Sequence, residues 1–199
     1  MTEGLILASA SPARARLLAM AGLDVEIAPA VVDETGIKQR FRAEGRKAAE
    51  CALALAEAKA LETAGRQDGG FVIGADQLLV CDGLWFDKPR DLGAARAQLR
   101  VLRGRAHELV TAVCAVKNRM RIWHTVSCPR LFMRQFSDAF LDDYLEAEGT
   151  AVLGSVGAYR LEGRGVQLFS HIEGDYFAIL GLPLMELLGF LRDRGEVAS

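Results

Sequence analysis

Short apolar segments alternate with helix-favouring segments from residue 5 onward. Residues 5–8 are apolar, and Ser11–Pro12 follows them. This pair suits a helix start, because serine caps free amides and proline fits the first turn. Gly22 can terminate the helix, and residues 25–28 form a second apolar segment. The pattern predicts a strand, a helix to about residue 21 and a second strand, which is how an α/β fold begins.

The middle of the chain predicts a long helix followed by a β-hairpin. Residues 43–64 are rich in Ala, Leu, Glu, Lys and Arg, which favour helix. Residues 71–80 are apolar and favour a strand, and Asp82–Gly83 can close a tight turn onto residues 84–86. We therefore expect one helix over the whole of 43–64, then a strand that contains Asp76.

The remaining elements follow from capping residues and from β-branched or aromatic runs. In chain order, the pattern predicts a helix from Asp91 to about residue 104, paired strands at 108–116 and 122–136, a helix from Ser137 to about residue 148, strands at 166–169 and 175–180, and a last helix that opens at Pro183. Strands and helices alternate, but the hairpins exclude a purely parallel, doubly wound sheet. We expect an α/β fold with a mixed, twisted sheet and flanking helices, in a single domain over residues 1–199.

Composition and charge narrow the classes of function. Of the 199 residues, 51% are hydrophobic and 25% are charged, as in soluble globular proteins. The net charge of −2 gives no general attraction to nucleic acid or anionic membranes, so we expect no membrane association and no stable nucleic-acid complex. No apolar segment reaches the ~20 residues of a spanning helix and no signal peptide is evident, so we expect a cytoplasmic protein. Four scattered cysteines without a Cys-x-x-Cys pair argue against a zinc or redox centre.

Residues 9–16, SASPARAR, are the first candidate for phosphate binding. The chain contains neither a Gly-x-Gly-x-x-Gly fingerprint nor a Walker phosphate loop, so phosphate would have to be held differently. In SASPARAR, small hydroxyl side chains such as Ser9 and the free amides of a helix start lie beside Arg14 and Arg16. Amides and guanidinium groups both attract anions. The alternative is a capped helix with surface arginines.

Asp76 is the second candidate, because it interrupts the apolar segment FVIGA. Burying an unpaired carboxylate is costly, so Asp76 requires a metal, a cation or an open cleft, unless it is a satisfied structural residue. Asp33 and Glu34, which we place in the loop after the second strand, could join Asp76 around a hard divalent cation. Mg²⁺ prefers carboxylates, water and phosphates. For Asp33 and Glu34 the alternative is a solvated acidic turn.

Two lysines and one histidine are further candidates. Lys59 follows Leu55 by four residues on a helical stripe, so its stem can lie inward with the ammonium near a cleft, or extend to solvent. Lys88 precedes Pro89, which holds it in an extended conformation after the hairpin. It is a candidate for the site, and the alternative is an ordinary exposed lysine. His107 opens a strand, where a structural or surface role is the alternative, whereas His124 and His171 have no companion ligands at metal spacing.

The order of these motifs resembles that of the Maf family of house-cleaning nucleotide pyrophosphatases, from residue 5 to about residue 191. The motifs that carry the resemblance are LILASASPARARLL, Asp33–Glu34, LALAEAKA around Lys59, VIGADQ around Asp76, DKPRD around Lys88, RGRAHELVTAV around His107, VGAYRLEGRG and GDYFAILGLPL. Each motif is short, but the ordered set covers nearly the whole chain. The resemblance implies a mixed α/β fold with two lobes around a substrate cleft.

The resemblance also implies an activity, the hydrolysis of a nucleoside triphosphate to a monophosphate and pyrophosphate. It implies Asp76 as the proton acceptor that activates water, with Glu34 and Asp76 near a divalent cation such as Mg²⁺, Mn²⁺ or Co²⁺. The residues that it places around the substrate are Ser9, Arg14, Lys59, Lys88 and His107. It further implies that the nucleotide substrate is the main partner and that the protein is a homodimer.

Three positions separate the subfamilies within this resemblance, and here they are Ala13, Gln77 and Glu162. Gln77 and Glu162 resemble the 7-methyl-GTP pyrophosphatase subfamily, whereas the dTTP/UTP subfamily has Thr and Gln at these positions. Ala13 replaces Arg of the dTTP/UTP group and a large aromatic residue of the other. We predict a preference for 7-methyl-GTP or a related modified nucleotide. The alternatives are a dTTP/UTP pyrophosphatase and a nucleotide-binding factor that arrests cell division without turnover.

Overall fold

The computed structural model describes residues 4–67 and 69–197. Within them, eight strands form one sheet that is flanked by seven α-helices. The strands are β1 (Leu5–Leu7), β2 (Val25–Ile27), β3 (Phe71–Cys81), β4 (Leu84–Phe86), β5 (Ala106–Lys117), β6 (Met120–Ser127), β7 (Arg130–Met133) and β8 (Phe169–Glu173). The helices are α1 (Pro12–Met20), α2 (Glu34–Ala43), α3 (Ala48–Ala64), α4 (Leu92–Leu102), α5 (Asp138–Glu148), α6 (Tyr176–Ile179) and α7 (Leu184–Asp193). None of the described helices is long and apolar enough to cross a membrane.

The sheet is mixed, as the sequence predicts. Its strand order is β2-β1-β3-β5-β7-β8, with β4 paired to β3 and β6 paired to β5. Strand β1 runs parallel to β2 and β3, and the other pairs are antiparallel. The long strands β3 and β5 form the central ladder, in which Asp76 lies opposite Ala112 and Gln77 opposite Thr111.

The predicted helix caps are confirmed at three helices. The side chains of Ser11, Asp91 and Ser137 accept hydrogen bonds from backbone amides in the first turns of α1, α4 and α5. Asp82–Gly83 closes the β3–β4 hairpin, with both residues at positive φ. These elements depend on local hydrogen bonds and turn geometry, which short sequence motifs specify well.

The helix predicted over residues 43–64 is wrong at its start. Residue 43 ends α2, and α3 begins only at Ala48. The loop predicted for Asp33 and Glu34 is correct for Asp33 but wrong for Glu34, because Asp33 caps α2 by accepting a hydrogen bond from the Gly36 amide at 2.9 Å. Glu34 therefore occupies the first turn of a helix, where a carboxylate interacts favourably with the helix dipole.

Three predicted strands differ from those in the structure. Residues 164–168 form a 3-10 helix, so the strand predicted at 166–169 begins only at Phe169. The strand predicted at 175–180 is helix α6, because the Asp175 carboxylate accepts hydrogen bonds from the amides of Phe177 and Ala178. The segment 122–136 contains two strands, β6 and β7, rather than one.

Helix α3 packs against β3 with no side chain between them at Gly74. A Cβ atom at Gly74 would collide with the carbonyl oxygen of Ala56 and would lie 2.8 Å from the Cβ of Ala60. Ala56 and Ala60 are one turn apart on α3 and are fully buried. The small residues of α3 thus allow the helix backbone to approach the strand that carries Asp76.

The four cysteines form no disulfide with one another, and three of them belong to the buried core. Cys51, Cys81 and Cys114 are buried and Cys128 is exposed, and all four are free thiols. Burial raises the pKa of the Cys114 thiol to about 12, so this thiol stays protonated at neutral pH. The buried cysteines therefore behave as small apolar side chains.

Candidate active site

A cleft of about 570 Å³ opens beside the middle of β3. Strand β1 pairs with residues 71–73 of β3, and β4 pairs with residues 79–81 on the far side of Asp76. Between these two pairings, the carbonyl oxygen of Ala75 accepts a hydrogen bond from Arg14 instead of from a strand. This interruption brings Asp76 and Gln77 to the cleft wall.

Asp76, Lys59 and Glu34 meet at the centre of the cleft. The Lys59 Nζ lies 2.6 Å from Oδ1 of Asp76 and 2.8 Å from Oε1 of Glu34. Asp76 is only 5% exposed, and its other oxygen, Oδ2, is buried and has no hydrogen-bond partner among the described residues. The structure thus brings together three predicted residues from β3, α3 and α2, and it leaves one carboxylate oxygen without a partner among the described residues.

The Lys59 contact also keeps Glu34 ionised. Burial raises the pKa of Glu34, but the hydrogen bond from Lys59 and the charges of Lys59, Lys38 and Lys88 outweigh it, so that the net pKa is lowered. A carboxylate that remains charged beside an ammonium is suited to ligate a cation or to orient a water molecule.

Arg14 is buried and hydrogen-bonded to the protein, whereas the sequence suggests a side chain that is free to bind phosphate or lies on the surface. It is 8% exposed, its Nε donates to the Gly181 carbonyl at 2.8 Å, and its Nη1 donates to Ser9 Oγ at 3.0 Å and to the Ala75 carbonyl at 2.9 Å. Burial lowers the pKa of Arg14, partly offset by the charges of Asp76 and Glu34. The structure places Ser9 behind Arg14, whereas Ser11 lines the cleft. Arg14 therefore ties α1 to β3 and leaves Nη2 for a ligand.

Positive charge is in excess in the cleft wall, which carries six cationic side chains and four carboxylates among the described residues. The cations are Arg14, Arg16, Lys38, Lys59, Lys88 and Arg160. Lys88 makes no salt bridge within the described part of the chain, and desolvation at the cleft together with the charge of Arg14 lowers its pKa. Sequence reasoning missed Lys38, because the helix that carries it, α2, was not predicted.

The cleft wall also contains apolar side chains. Among them are Leu109, Val156, Tyr159, Leu161, Ile179 and Leu180. His107 does not line the cleft within the described residues but lies behind this wall, where its Nε2 is 2.8 Å from the Tyr159 hydroxyl. His107 is 2% exposed, and burial lowers its pKa to about 4, so the ring is neutral at pH 7. The structure therefore places His107 where it orients Tyr159 rather than where it could touch a ligand directly.

The three positions that are predicted to set specificity line the cleft together. Ala13, Gln77 and Glu162 all contribute to its wall. The Gln77 Nε2 donates towards Thr111 Oγ1 at 2.8 Å and the carbonyl oxygens of residues 178 and 179 at 2.9 and 3.1 Å. Three acceptors around this nitrogen fix the orientation of the amide, since the reversed amide would place oxygen against oxygen. Glu162 forms an ion pair with Arg160 at 3.4 Å.

No cluster of three or more His, Cys, Asp or Glu side chains that could hold a metal ion occurs among residues 4–67 and 69–197. Glu34 and Asp76 form a pair instead, linked through Lys59. Mg²⁺ is commonly held by one or two carboxylates, with water and substrate phosphates completing its shell. The pair therefore provides a donor set that matches a cation brought in with a phosphate ligand.

Comparison with known proteins places this chain in a family. A family model described as Maf-like protein matches residues 4–194. A nucleoside triphosphate pyrophosphatase of Granulibacter bethesdensis is 60% identical over 188 residues, which are 94% of this chain and 95% of that protein. One of Paramagnetospirillum magneticum is 52% identical over 96% of this chain and 99% of that protein, and a 7-methyl-GTP pyrophosphatase of Rhizobium meliloti is 47% identical over 97% of each. The chain belongs to the Maf-like family, as the order of its motifs predicts.

Proposed function

We propose that this protein hydrolyses a nucleoside triphosphate to the nucleoside monophosphate and pyrophosphate, with 7-methyl-GTP or a related modified nucleotide as its preferred substrate. The cleft has the two kinds of wall that a nucleotide requires, cationic side chains for the phosphates and apolar ones for the base. The relatives named above, which carry the name nucleoside triphosphate pyrophosphatase or 7-methyl-GTP pyrophosphatase, support the same activity.

The free Oδ2 of Asp76 is the observation that carries this proposal. Its partner oxygen is held by Lys59 at 2.6 Å, so the carboxylate is fixed while Oδ2 can accept a proton. In the proposed reaction, a water oxygen attacks the α-phosphorus and passes one proton to Oδ2. The bond from the α-phosphorus to the bridging oxygen breaks, and pyrophosphate leaves with the electron pair. General-base catalysis of this kind contributes about 10²- to 10⁴-fold to a rate.

The cationic wall offsets the negative charge that develops on the phosphates. Lys88 has no salt bridge within the described residues, so its ammonium can bind a phosphate oxygen without first leaving a partner. The amides at the start of α1, beside Ser11, provide further donors. Fixed cations and dipoles act strongly in a cleft from which water is excluded.

Glu34 and Asp76 would hold a divalent cation in this proposal. Both carboxylates contact the same Lys59 ammonium, at 2.8 and 2.6 Å, so they lie close enough together to share a hard cation such as Mg²⁺, Mn²⁺ or Co²⁺. When bound, such a cation would neutralise phosphate charge and lower the pKa of a nearby water. The protein's own contribution is to hold the two carboxylates next to each other.

Gln77 and Glu162 support the preference for a methylated guanine. The amide nitrogen of Gln77 is committed to the protein, so only its carbonyl oxygen can accept a hydrogen bond from a base. Guanine presents N–H donors on the corresponding edge. The Glu162 carboxylate would favour a base that carries positive charge, and 7-methylguanine does so. Ala13 leaves space beside the base rather than a stacking partner.

A substrate panel with the wild-type protein and Asp76→Asn tests both the substrate preference and the role of Asp76. Pyrophosphate release is measured for 7-methyl-GTP, GTP, dTTP and UTP, with and without divalent cations. We expect the highest kcat/KM for 7-methyl-GTP, dependence on a divalent cation, and a loss of about 10²-fold or more in Asp76→Asn with nucleotide binding retained. Equal or faster turnover of dTTP or UTP would refute the substrate preference, and unchanged turnover in Asp76→Asn would refute the role of Asp76.

A further inference from the structure

Lys38 and Arg42 lie one helical turn apart on α2 and contact the same carboxylate. Lys38 Nζ is 2.8 Å from Oδ1 of Asp87, and Arg42 Nη2 is 3.4 Å from Oδ2. Only one of the two side chains reaches the cleft. Lys38 lines it, with 14% of its side chain exposed, whereas Arg42 is not among the described residues that line the cleft. One carboxylate therefore has two cationic partners, of which only one reaches the cleft.

Asp87 stays anchored if Lys38 turns away from it. Arg42 contacts the carboxylate and donates to the Trp85 carbonyl at 3.3 Å, while Gln98 donates to the backbone carbonyl of Asp87 at 2.8 Å. These contacts tie the segment before Lys88 to α2 and α4 without any contribution from Lys38. Releasing Lys38 to a ligand therefore costs one exposed ion pair, and Asp87 is 55% exposed at its side chain.

Lys38 lies close to the carboxylates Asp76 and Glu34 of the cleft. The charges that act on it belong to Asp87, Asp76 and Glu34, and with Asp87 as the closest partner its pKa is raised in spite of burial. It is therefore fully protonated at neutral pH. The apolar side chains named above come from β5, residues 179–180 and the segment 156–161, whereas α2 contributes Glu34, Thr35 and Lys38 to the cleft wall.

We propose that Lys38 is an exchangeable phosphate ligand, which leaves Asp87 to bind the outer two phosphates of the substrate, the part that is released as pyrophosphate. This assignment rests on the proposed function for the identity of the nucleotide, but pyrophosphate binding itself can be measured without turnover. The two outer phosphates together carry more negative charge than one carboxylate that is shared between two cations, so the exchange favours the ligand.

Lys38→Met and Arg42→Met form a matched pair for the test, since both remove a cation from Asp87. Inhibition constants for inorganic pyrophosphate and for the nucleoside monophosphate are measured with each variant, after circular dichroism has shown that it is folded. We expect Lys38→Met to raise the constant for pyrophosphate about tenfold or more and that for the monophosphate less than about twofold. In Arg42→Met both constants should stay within about twofold. Equal weakening of pyrophosphate binding in the two variants would overturn the proposal, because Lys38 would then act only by holding Asp87.

Two more variants separate binding from positioning. Lys38→Arg keeps the charge and should restore pyrophosphate binding to within a few-fold of wild type. Asp87→Asn removes the competing partner, so it should leave pyrophosphate binding unchanged or make it tighter. Weakened binding in Asp87→Asn, by as much as in Lys38→Met, contradicts an exchangeable ligand.

Calorimetric titration of the wild-type protein and Lys38→Met with inorganic pyrophosphate distinguishes this inference from the proposed function. Pyrophosphate binding that depends on Lys38, in a protein that turns over no nucleoside triphosphate, would support the inference and refute the proposed function. Turnover with pyrophosphate binding that is unchanged in Lys38→Met would refute the inference alone.

Discussion

The ammonium of Lys59 and the carboxylate of Asp76 lie 2.6 Å apart, with only 12% and 7% of their side chains exposed. The attraction between the two opposite charges offsets the cost of removing each of them from water. A second carboxylate, Glu34, contacts the same ammonium at 2.8 Å. Removing the lysine would leave two neighbouring carboxylates in a partly dehydrated cleft, and like charges at short range repel.

Lys59→Met should therefore lower the free energy of unfolding by about 2 to 4 kcal/mol, since it leaves a buried carboxylate unpaired. Urea unfolding at pH 7 measures this loss. The double variant Lys59→Met/Asp76→Asn should recover part of it, because the uncompensated charge is removed along with its partner. If the two changes are simply additive, the pair is not coupled and the burial of Asp76 must be compensated elsewhere.

His107 should make the protein less stable in mild acid. Its pKa in the folded protein is about 4, below the ~6.5 of an unfolded chain, so the unfolded state takes up the proton first. The stability that neutral His107 contributes is present above about pH 6.5 and falls as the pH decreases towards 4. Between pH 7.5 and 5.0 this amounts to about 2 kcal/mol, which urea unfolding across this range would measure.

His107→Gln is the comparison for that experiment, because glutamine does not titrate and can still form a hydrogen bond with the Tyr159 hydroxyl. The variant should lose about 2 kcal/mol less than wild type over the same pH range. Parallel pH profiles for the two proteins would show that protonation of His107 does not oppose folding.

Gln77→Glu should destabilise the fold more at high pH than at low pH. The change places a carboxylate oxygen against the carbonyl oxygens of residues 178 and 179, which now accept from the Gln77 amide. The expected loss is about 1 to 3 kcal/mol at pH 8, and smaller near pH 5, where the new carboxyl can be protonated and donate. Gln39→Glu, at an exposed position on α2, adds the same charge and should show no such loss. A similar melting temperature for both variants at pH 8 would argue against the orientation of the Gln77 amide described above.

The sequence predicted those elements whose signals are local. The capped helices α1, α4 and α5 and the hairpin at Asp82–Gly83 each depend on contacts within a few residues. Segment 175–180 was predicted as a strand from its apolar and aromatic residues, but the Asp175 cap and packing of its buried Ala178 decide for a helix. Composition did not distinguish a short buried helix from a strand.

The sequence predicted which residues belong to the candidate site, but it did not predict the contacts between them. Asp76, Lys59 and Glu34 were each identified from a local anomaly or from motif order, and the structure joins them within hydrogen-bonding distance. Lys38 and Asp87 were missed as a pair because they lie 49 positions apart, and only the folded chain brings them together. Tyr159 was missed for the same reason, since its relation to His107 is visible only across the sheet.

Gly74→Ala should be strongly destabilising although the change adds one methyl group. The new Cβ would collide with the Ala56 carbonyl oxygen, which belongs to a helix backbone and cannot rotate away. We expect a loss of about 1 to 3 kcal/mol or more, together with reduced turnover, measured by thermal unfolding and pyrophosphate release. Gly189→Ala in α7 has no atom within 4 Å of the added Cβ and should instead gain about 0.5 to 1 kcal/mol. Comparable stability of the two variants would show that α3 can move away from β3 at little cost.

The close approach of α3 to β3 at Gly74 means that two backbones, rather than exchangeable side chains, set the spacing between Lys59 and Asp76. Positions such as Ala13 and Glu162 line the same cleft but take no part in this packing. The cleft-lining positions can therefore change without altering the spacing between Lys59 and Asp76. During evolution, or in a directed-evolution library, such a cleft can acquire a new nucleobase preference by varying its lining while its hydrolytic centre stays in place.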